Sequence, residues 1–318
     1  MRVSSGLDRR WFVLVGPTAV GKTAVAERLA LRWQAEIIVA DSRQIYRGMN
    51  VGTHKPSALC QMRVPRHMID RIDPEAFFSA GTYKKQAEEV IHALQGARFL
   101  IEGGTGLYLR ALLEGLWEGP PASWALRQQW YNEEQEAPGV LHLRLAQVDP
   151  TSAATLHVHD LPKIVRALEV YHTTGHPLSY WHRTHRETRK RRPCFIVGLR
   201  RNRSDLYTRI DNRVDQQIKD GLIEETRQFA HLSADFPSMR GLGYRQMLPY
   251  VKGERSLTEA TTLLKRDTRR FAKRQMSWFE ADPEIHWVDL GPDETPEEIA
   301  ESICATCDRH ATFYEKTG

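Results

Sequence analysis

The run Gly16-Pro17-Thr18-Ala19-Val20-Gly21-Lys22-Thr23 constrains this chain more than any other stretch of it. It satisfies the pattern G-x-x-x-x-G-K-S/T throughout. Before it stands a continuous apolar segment, Trp11-Phe12-Val13-Leu14-Val15, as expected of a strand buried on both faces. After it, Lys22 to Trp33 carries Val25, Leu29 and Trp33 along one stripe at helical spacing. A glycine-rich turn between a strand and a helix points backbone N–H groups and the positive helix end at a phosphate. Lys22 adds a cation for the phosphate oxygens, and the Thr23 hydroxyl is suited to ligate Mg²⁺. Gly16, Thr18, Ala19, Val20, Gly21, Lys22 and Thr23 are therefore the expected phosphate cradle.

More strands of the same buried type follow. Glu36-Ile37-Ile38-Val39-Ala40 ends at Asp41, and Phe99-Leu100-Ile101 runs into Gly103-Gly104. Phe195-Ile196-Val197 and His286-Trp287-Val288 read as later strands. Strands alternating with helices imply an α/β fold: a P-loop NTPase-like core with a mainly parallel sheet, whose ligands bind beyond the strands' carboxyl ends. From Trp117 to about Pro193 the pattern changes. Pro120-Pro121 breaks the chain, and helical segments follow at Trp124 to Gln135, Thr151 to Thr155 and Pro162 to Thr173. The expected organisation is a core of residues 1–116 and 194–318 with a helical insertion at 117–193.

No apolar run approaches the ~20 residues that a membrane helix needs. The opening residues Met1-Arg2-Val3-Ser4-Ser5-Gly6 lack a signal-peptide pattern, so a cytoplasmic protein is expected; separately, a monomer is expected. Of the four cysteines, Cys304 and Cys307 form a C-x-x-C without a second pair nearby, which reads as two neighbours on a terminal helix rather than half a zinc site. The net charge of +5 is unevenly sorted. Residues 182–192 and 265–274 each hold six Lys/Arg against a single acid, as an electrostatic footprint for nucleic-acid phosphates requires. In the second stretch, helical spacing puts Leu264, Phe271, Trp278 and Phe279 on one side and Arg266, Arg269, Arg270 and Lys273 opposite.

A P-loop specifies phosphate, not the reaction. A nucleoside triphosphatase or kinase would place an acid after a later apolar strand to hold Mg²⁺, and Glu102 is the sole such residue on the third strand. Asp41, eighteen residues after Thr23, is expected on the neighbouring strand end beside the cradle. On these residues alone, a small-molecule kinase and an RNA-binding protein with a nucleotide-sensing switch both stand beside a group transferase.

Further blocks decide among them by resemblance. The P-loop is joined by Asp41-Ser42-Arg43-Gln44-Ile45-Tyr46-Arg47-Gly48-Met49, Gly52-Thr53 with Lys55-Pro56, His67-Met68-Ile69-Asp70 with Asp73-Pro74, and Gly103-Gly104-Thr105-Gly106-Leu107-Tyr108. Arg166-Ala167-Leu168-Glu169-Val170, Gly243-Tyr244-Arg245-Gln246-Met247 and Ala272-Lys273-Arg274-Gln275 come later. In this order and spacing, over nearly the whole chain, the set resembles the tRNA dimethylallyltransferase family of bacterial type. Two departures stand out. Glu102 precedes Gly-Gly where the family usually has a small apolar residue, and Arg66-His67 replaces a common His-His. The charge at Glu102 is expected to alter the electrostatics near Thr105.

The resemblance implies transfer of a dimethylallyl group from dimethylallyl diphosphate to the exocyclic amine of the tRNA adenosine immediately 3′ of the anticodon, releasing pyrophosphate. The cradle would then hold a leaving group, with Mg²⁺ on Thr23 and with Arg209 gripping the same group. Asp41 would accept or orient the amine proton, and Thr105 would contact the same base. By the same resemblance Asp41, Ser42, Arg43, Gln44, Thr105, Arg127, Lys163, Arg166, Arg240, Gly241, Gly243, Tyr244, Arg245, Arg270, Lys273 and Arg274 would meet the tRNA anticodon stem-loop. Gln44 would read a base edge, and the Arg240 to Arg245 segment would supply backbone contacts and aromatic stacking.

Overall fold

Runs of consecutively buried residues build the sheet. A computed structural model of the chain describes residues 11–117 and 119–309, so the Met1 to Gly6 segment lies outside the described residues. Six parallel strands form one sheet: β1 (Trp11–Val15), β2 (Glu36–Ala40), β3 (Arg66–His67), β4 (Phe99–Gly103), β5 (Cys194–Arg201) and β6 (Ile285–Leu290). Their order is β3-β2-β4-β1-β5-β6. Phe12, Leu14, Ile37, Val39, Leu100 and Val197 pack on one face against Val25 and Leu29 of the helix Lys22–Trp33 and Ile299 and Ile303 of the helix Pro296–Arg309. Val13, Val15, Ile38, Ile101 and Ile196 pack on the other, against Tyr83, Ala87, Leu112 and Phe279. Both faces are covered, which is why these strands read as unbroken apolar runs rather than alternating ones. Cys307 packs into the first of these clusters.

Strand order corrects one expectation. β2 is not the neighbour of β1, because β4 lies between them. Asp41 is thus two strands from the cradle, and what brings the two together is the thinness of β4's end. A Cβ on Gly103 would lie 2.3 Å from the carbonyl oxygen of Ala40, so only glycine lets the strands close there.

Residues up to Leu113 and from Arg192 onward make one unit, and Glu114–Arg191 make the other. The second unit is helical, built from Trp124–Glu136, Val140–Val148, Pro150–Thr155, Leu161–Thr174 and Leu178–Thr188. Leu141, Leu145, Ile164, Val165 and Leu168 form its core with Trp130. Val140–Val148 and Leu178–Thr188 had no clear sequence signal, being short or dominated by His and Arg. Arg127 and Arg166 are fixed within this unit. Glu169, fully buried, accepts two bonds from Arg127 at 2.9 and 2.7 Å, one from Arg166 at 2.6 Å and one from the Ser123 N–H at 2.7 Å. Burial works to raise the Glu169 carboxyl, but the bonds from Arg127 and Arg166 outweigh it and hold it below its ordinary value. These two arginines therefore neutralise a buried acid in the unit's core. Lys163 is exposed, beside Asp160.

The helix Leu257–Glu280 also differs from expectation. Its buried stripe is Ala260, Leu264, Thr268, Ala272, Gln275 and Phe279. Trp278 is 41% exposed, with Arg110 4.4 Å over its ring, and Phe271 faces the cavity described next. Polar Thr268 and Gln275 take the inner positions because each has an inner hydrogen-bond partner, Leu264 O for Thr268 and Gly104 O for Gln275.

Candidate active site

At the carboxyl ends of the central strands lies a cavity of about 920 Å³, and its floor is the turn after β1. Thr18, Ala19, Gly21, Lys22 and Thr23 line it. Gly16 and Val20 do not; they hold the turn from behind. Val20 is fully buried in the core, and Gly16, at φ +148°, sits where a Cβ would meet the Leu199 carbonyl oxygen at 2.8 Å. The turn is also braced by Gln275, quoted above only as part of a block of the resemblance, and by Arg201, which sequence reasoning missed. Gln275 accepts from the Thr18 N–H at 2.8 Å and donates to Gly104 O at 2.9 Å, so one buried amide ties the cradle to the end of β4. Arg201, 8% exposed, donates to Val20 O, Gly291 O and Asp205. Both are far from the turn in sequence.

Charge converges on this cavity. Lys22 donates to Pro17 O at 2.8 Å, and burial pulls its ammonium down to about 8, against the opposing pull of Glu102 and Asp41. Arg213, on the helix Arg203–Lys219, is drawn down to about 10 by burial, with Asp41 acting the other way. His54 falls to about 4 because Arg213 repels a proton there and burial adds to the effect. At neutral pH His54 is therefore an uncharged wall residue. Arg209 lines the same cavity from the same helix as Arg213, with Nε 3.3 Å from Asp205 Oδ1. Arg213 carried no sequence signal beyond its place one helical turn after Arg209.

Asp41 lines the cavity as well. Its Oδ1 accepts from the Arg43 N–H at 2.7 Å and the Gln44 N–H at 3.4 Å, a local turn that fixes the carboxylate's direction. Thr105 stands just outside the cavity lining. Its Oγ1 accepts from the Ser42 N–H at 3.0 Å, and its own N–H donates to Ala40 O at 3.1 Å. Thr105 and Asp41 thus share one loop–strand junction. Glu102 meets the cradle directly: its Oε1 accepts from the Thr23 hydroxyl at 2.7 Å, and its Oε2 meets Arg66 at 3.0 Å. Its contact is the cradle, not Thr105.

The residues expected at RNA divide. Gln44 is 9% exposed and lines the cavity. Arg43 turns its guanidinium to Pro237 O. Tyr244 is 1% exposed and donates its hydroxyl to Glu225 at 2.6 Å, so its ring belongs to the core and offers no stacking face. A Cβ on Gly241 would meet Ser238 O at 2.9 Å, and a Cβ on Gly243, at φ +94°, would meet Leu222 at 3.3 Å; both glycines serve backbone closeness. Arg240 and Arg245 are more than half exposed, in contact with Asp235 and Asp267. Arg269, by contrast, is tied to Asp211 at 2.7 and 2.8 Å. Arg270, Lys273 and Arg274 are exposed along the helix Leu257–Glu280.

Comparison with known proteins sets this geometry in a family. A sequence model of the family described as IPP transferase matches residues 44–282. The chain is 44% identical over 297 residues to tRNA dimethylallyltransferase 2 of Geotalea uraniireducens, covering 92% of this chain and 94% of that protein. The chain belongs to the tRNA dimethylallyltransferase family. It is 42% identical over 290 residues to the tRNA dimethylallyltransferase of Geobacter sulfurreducens, with 90% and 93% covered. The crystal structure of the full-length tRNA isopentenylpyrophosphate transferase from Bacillus halodurans superposes with a TM-score of 0.67 at 34% identity, covering 95% of this chain and 97% of that one. A eukaryotic dimethylallyltransferase acting on tRNA shares the fold at 22% identity and a TM-score of 0.79, with 97% and 81% covered. The family, the α/β fold class and the transferase activity expected from the motifs all stand. Among the described residues no helix is long and apolar enough to cross a membrane.

Proposed function

We propose that this member of the dimethylallyltransferase family performs the transfer in the cavity over the turn after β1. Dimethylallyl diphosphate places its diphosphate on the turn, and the adenosine immediately 3′ of the tRNA anticodon brings its exocyclic amine to Asp41. One observation carries the reading: Lys22, Thr23, Arg209 and Asp41 line a single cavity. The reaction forms a bond from the amine nitrogen to the allylic carbon, breaks that carbon's bond to the diphosphate oxygen, and releases a proton. Negative charge grows on the leaving pyrophosphate, where the turn's N–H groups, Lys22 and Arg209 are fixed in advance. Asp41 receives or orients the amine proton, and Thr105, beside the same junction, holds the base. A stacked purine cannot reach a buried carbon, so the nucleotide must be extruded into the cavity.

The donor set fits Mg²⁺. The Thr23 hydroxyl is a hard oxygen lining the cavity beside the phosphate place, and Mg²⁺ takes few protein oxygens together with substrate phosphates. Bound to Thr23 there, it would supply neutralisation of the charge that develops on the diphosphate. The exposed Lys163, Arg240, Arg245, Arg270, Lys273 and Arg274 supply phosphate contacts to the anticodon stem-loop. Lys163 and Arg240 now pair with the solvent-accessible Asp160 and Asp235, and such surface pairs contribute only about 0–1 kcal/mol, so their exchange for RNA phosphate costs little. Ser42, Arg43 and Gln44 line the entrance for the base. The protein acts as a cytoplasmic monomer.

The test is incubation with dimethylallyl diphosphate, ATP and unmodified tRNA. Prenylated adenosine and released pyrophosphate, with ATP untouched, is the expected result. ATP turnover without prenylation would instead establish a kinase.

A further inference from the structure

Two buried side chains of opposite charge beside the cradle, Arg66 and Glu102, touch each other. Arg66 sits on β3 and Glu102 on β4, with β2 between them, and Arg66 Nη1 reaches Glu102 Oε2 at 3.0 Å. The Arg66 side chain is fully buried and that of Glu102 is 7% exposed. Arg66 Nη2 also donates to the Thr23 carbonyl at 3.3 Å and stands 3.9 Å from Glu27. Burying an arginine and a glutamate costs desolvation that a well-packed apolar replacement avoids, so stability alone does not account for the pair. Its significance lies at the other carboxylate oxygen, where Glu102 Oε1 accepts from the Thr23 hydroxyl at 2.7 Å.

We propose that Arg66 and Glu102 form a positioning device for Thr23, with Glu102 accepting the hydroxyl's hydrogen bond so that the oxygen's lone pairs are left for the cavity, where a divalent cation would be held. A threonine hydroxyl has one donor and two lone pairs, so assigning the proton leaves both lone pairs for other partners. Arg66 occupies Oε2 and thereby fixes which oxygen Thr23 meets. It also ties the device to the turn through the Thr23 carbonyl. Glu102 is a positioning residue here, acting through Thr23. A small apolar residue at position 102 would leave the hydroxyl rotor free. A glutamine would set an amide N–H₂ against either Arg66 or Thr23, breaking the arrangement with almost no change of shape. The inference rests on the proposed placement of the diphosphate at the turn after β1.

The experiment measures binding of inorganic pyrophosphate by titration calorimetry, with excess Mg²⁺ and with EDTA, and takes the ratio of the two Kd values. The wild-type chain should show a marked tightening by Mg²⁺. Glu102→Gln should shrink that ratio by about tenfold, the usual scale for losing an outer-shell partner of a metal ligand, while the Kd in EDTA stays within about twofold. Thr23→Ala should lose the enhancement, and Thr23→Ala with Glu102→Gln should match Thr23→Ala alone, because the second residue acts only through the first. Should Glu102→Gln fold poorly by thermal unfolding, the paired replacement Arg66→His with Glu102→Val removes both members of the ion pair together, leaving neither charge buried without its partner, and the same loss is expected. An unchanged Mg²⁺ ratio in Glu102→Gln, or a further loss on top of Thr23→Ala, overturns the proposal. Pyrophosphate that fails to bind the wild type in either condition overturns the placement of the diphosphate as well, whereas retained binding and prenyl transfer with an unchanged ratio removes only the role of the pair.

Discussion

Lys22 is set to lose its charge close to physiological pH, and that has a measurable consequence for ligand binding. Burial pulls its ammonium from 10.5 to about 8, with Glu102 and Asp41 pulling upward and Arg213 downward. Near pH 7 roughly nine in ten molecules carry the charge, at pH 8 about half do, and at pH 9 about one in ten. A diphosphate binds the charged form, so its affinity must fall as pH rises. Between pH 7 and pH 9 the fall attributable to Lys22 is about tenfold. Pyrophosphate itself titrates in this range, so the comparison is with Lys22→Arg, whose guanidinium starts about two pH units above a lysine and so keeps most of its charge where Lys22 loses it. Calorimetric Kd values for pyrophosphate in EDTA, taken at half-unit steps from pH 7 to 9.5, yield a wild-type to Lys22→Arg ratio in which the ligand's own titration cancels. That ratio should rise about tenfold between pH 7 and 9 and about thirtyfold by pH 9.5, with its bend near pH 8. A ratio flat to within twofold would show that Lys22 keeps its charge in the cavity, and the burial argument would be refuted.

Three further outcomes follow from the same geometry. Asp41→Ala should abolish prenyl transfer while leaving tRNA affinity within a few-fold, measured by filter binding; retained turnover refutes its role at the amine. Neutralising Arg270 and Lys273 together should reduce the slope of log affinity for tRNA against log salt by roughly one unit or more, since each lost phosphate contact releases fewer counterions. An unaltered slope means that this helix face does not meet the RNA backbone. Tyr244→Phe should cost about 1.5–3 kcal/mol in urea unfolding, the range for a hydrogen bond to a buried carboxylate. Glu225 keeps its bonds from the N–H groups of Asn50, Val51 and Gly52, which limits the loss to the one contact. A cost below about 0.5 kcal/mol would place Tyr244 outside the core network.

The cradle, the buried strands and the acid at the end of β2 were legible in the linear chain because each depends on residues next to one another. A G-x-x-x-x-G-K-T run after an apolar strand dictates a turn whose N–H groups converge, and Asp41-Ser42-Arg43-Gln44 closes its own local turn. Continuous apolar runs likewise announce strands covered on both faces. Partners at long separation were not legible. Gln275 meets Thr18 across 257 residues, and Glu102 meets Thr23 across 79. Nothing local distinguishes a glutamine or a glutamate that will be buried from one that will be solvated. The same blindness placed Phe271 and Trp278 in the core stripe, when polar Thr268 and Gln275 hold those inner positions, and it offered Tyr244 to RNA when Glu225 had already claimed it. Sequence by itself determined the backbone chemistry of the phosphate turn and the family it belongs to. Tertiary structure decided the strand order that sets β4 between β1 and β2, and with it which buried polar groups face one another. Backbone turns answer to neighbouring side chains, whereas a buried polar atom must be satisfied by whatever the folded chain brings within hydrogen-bond reach.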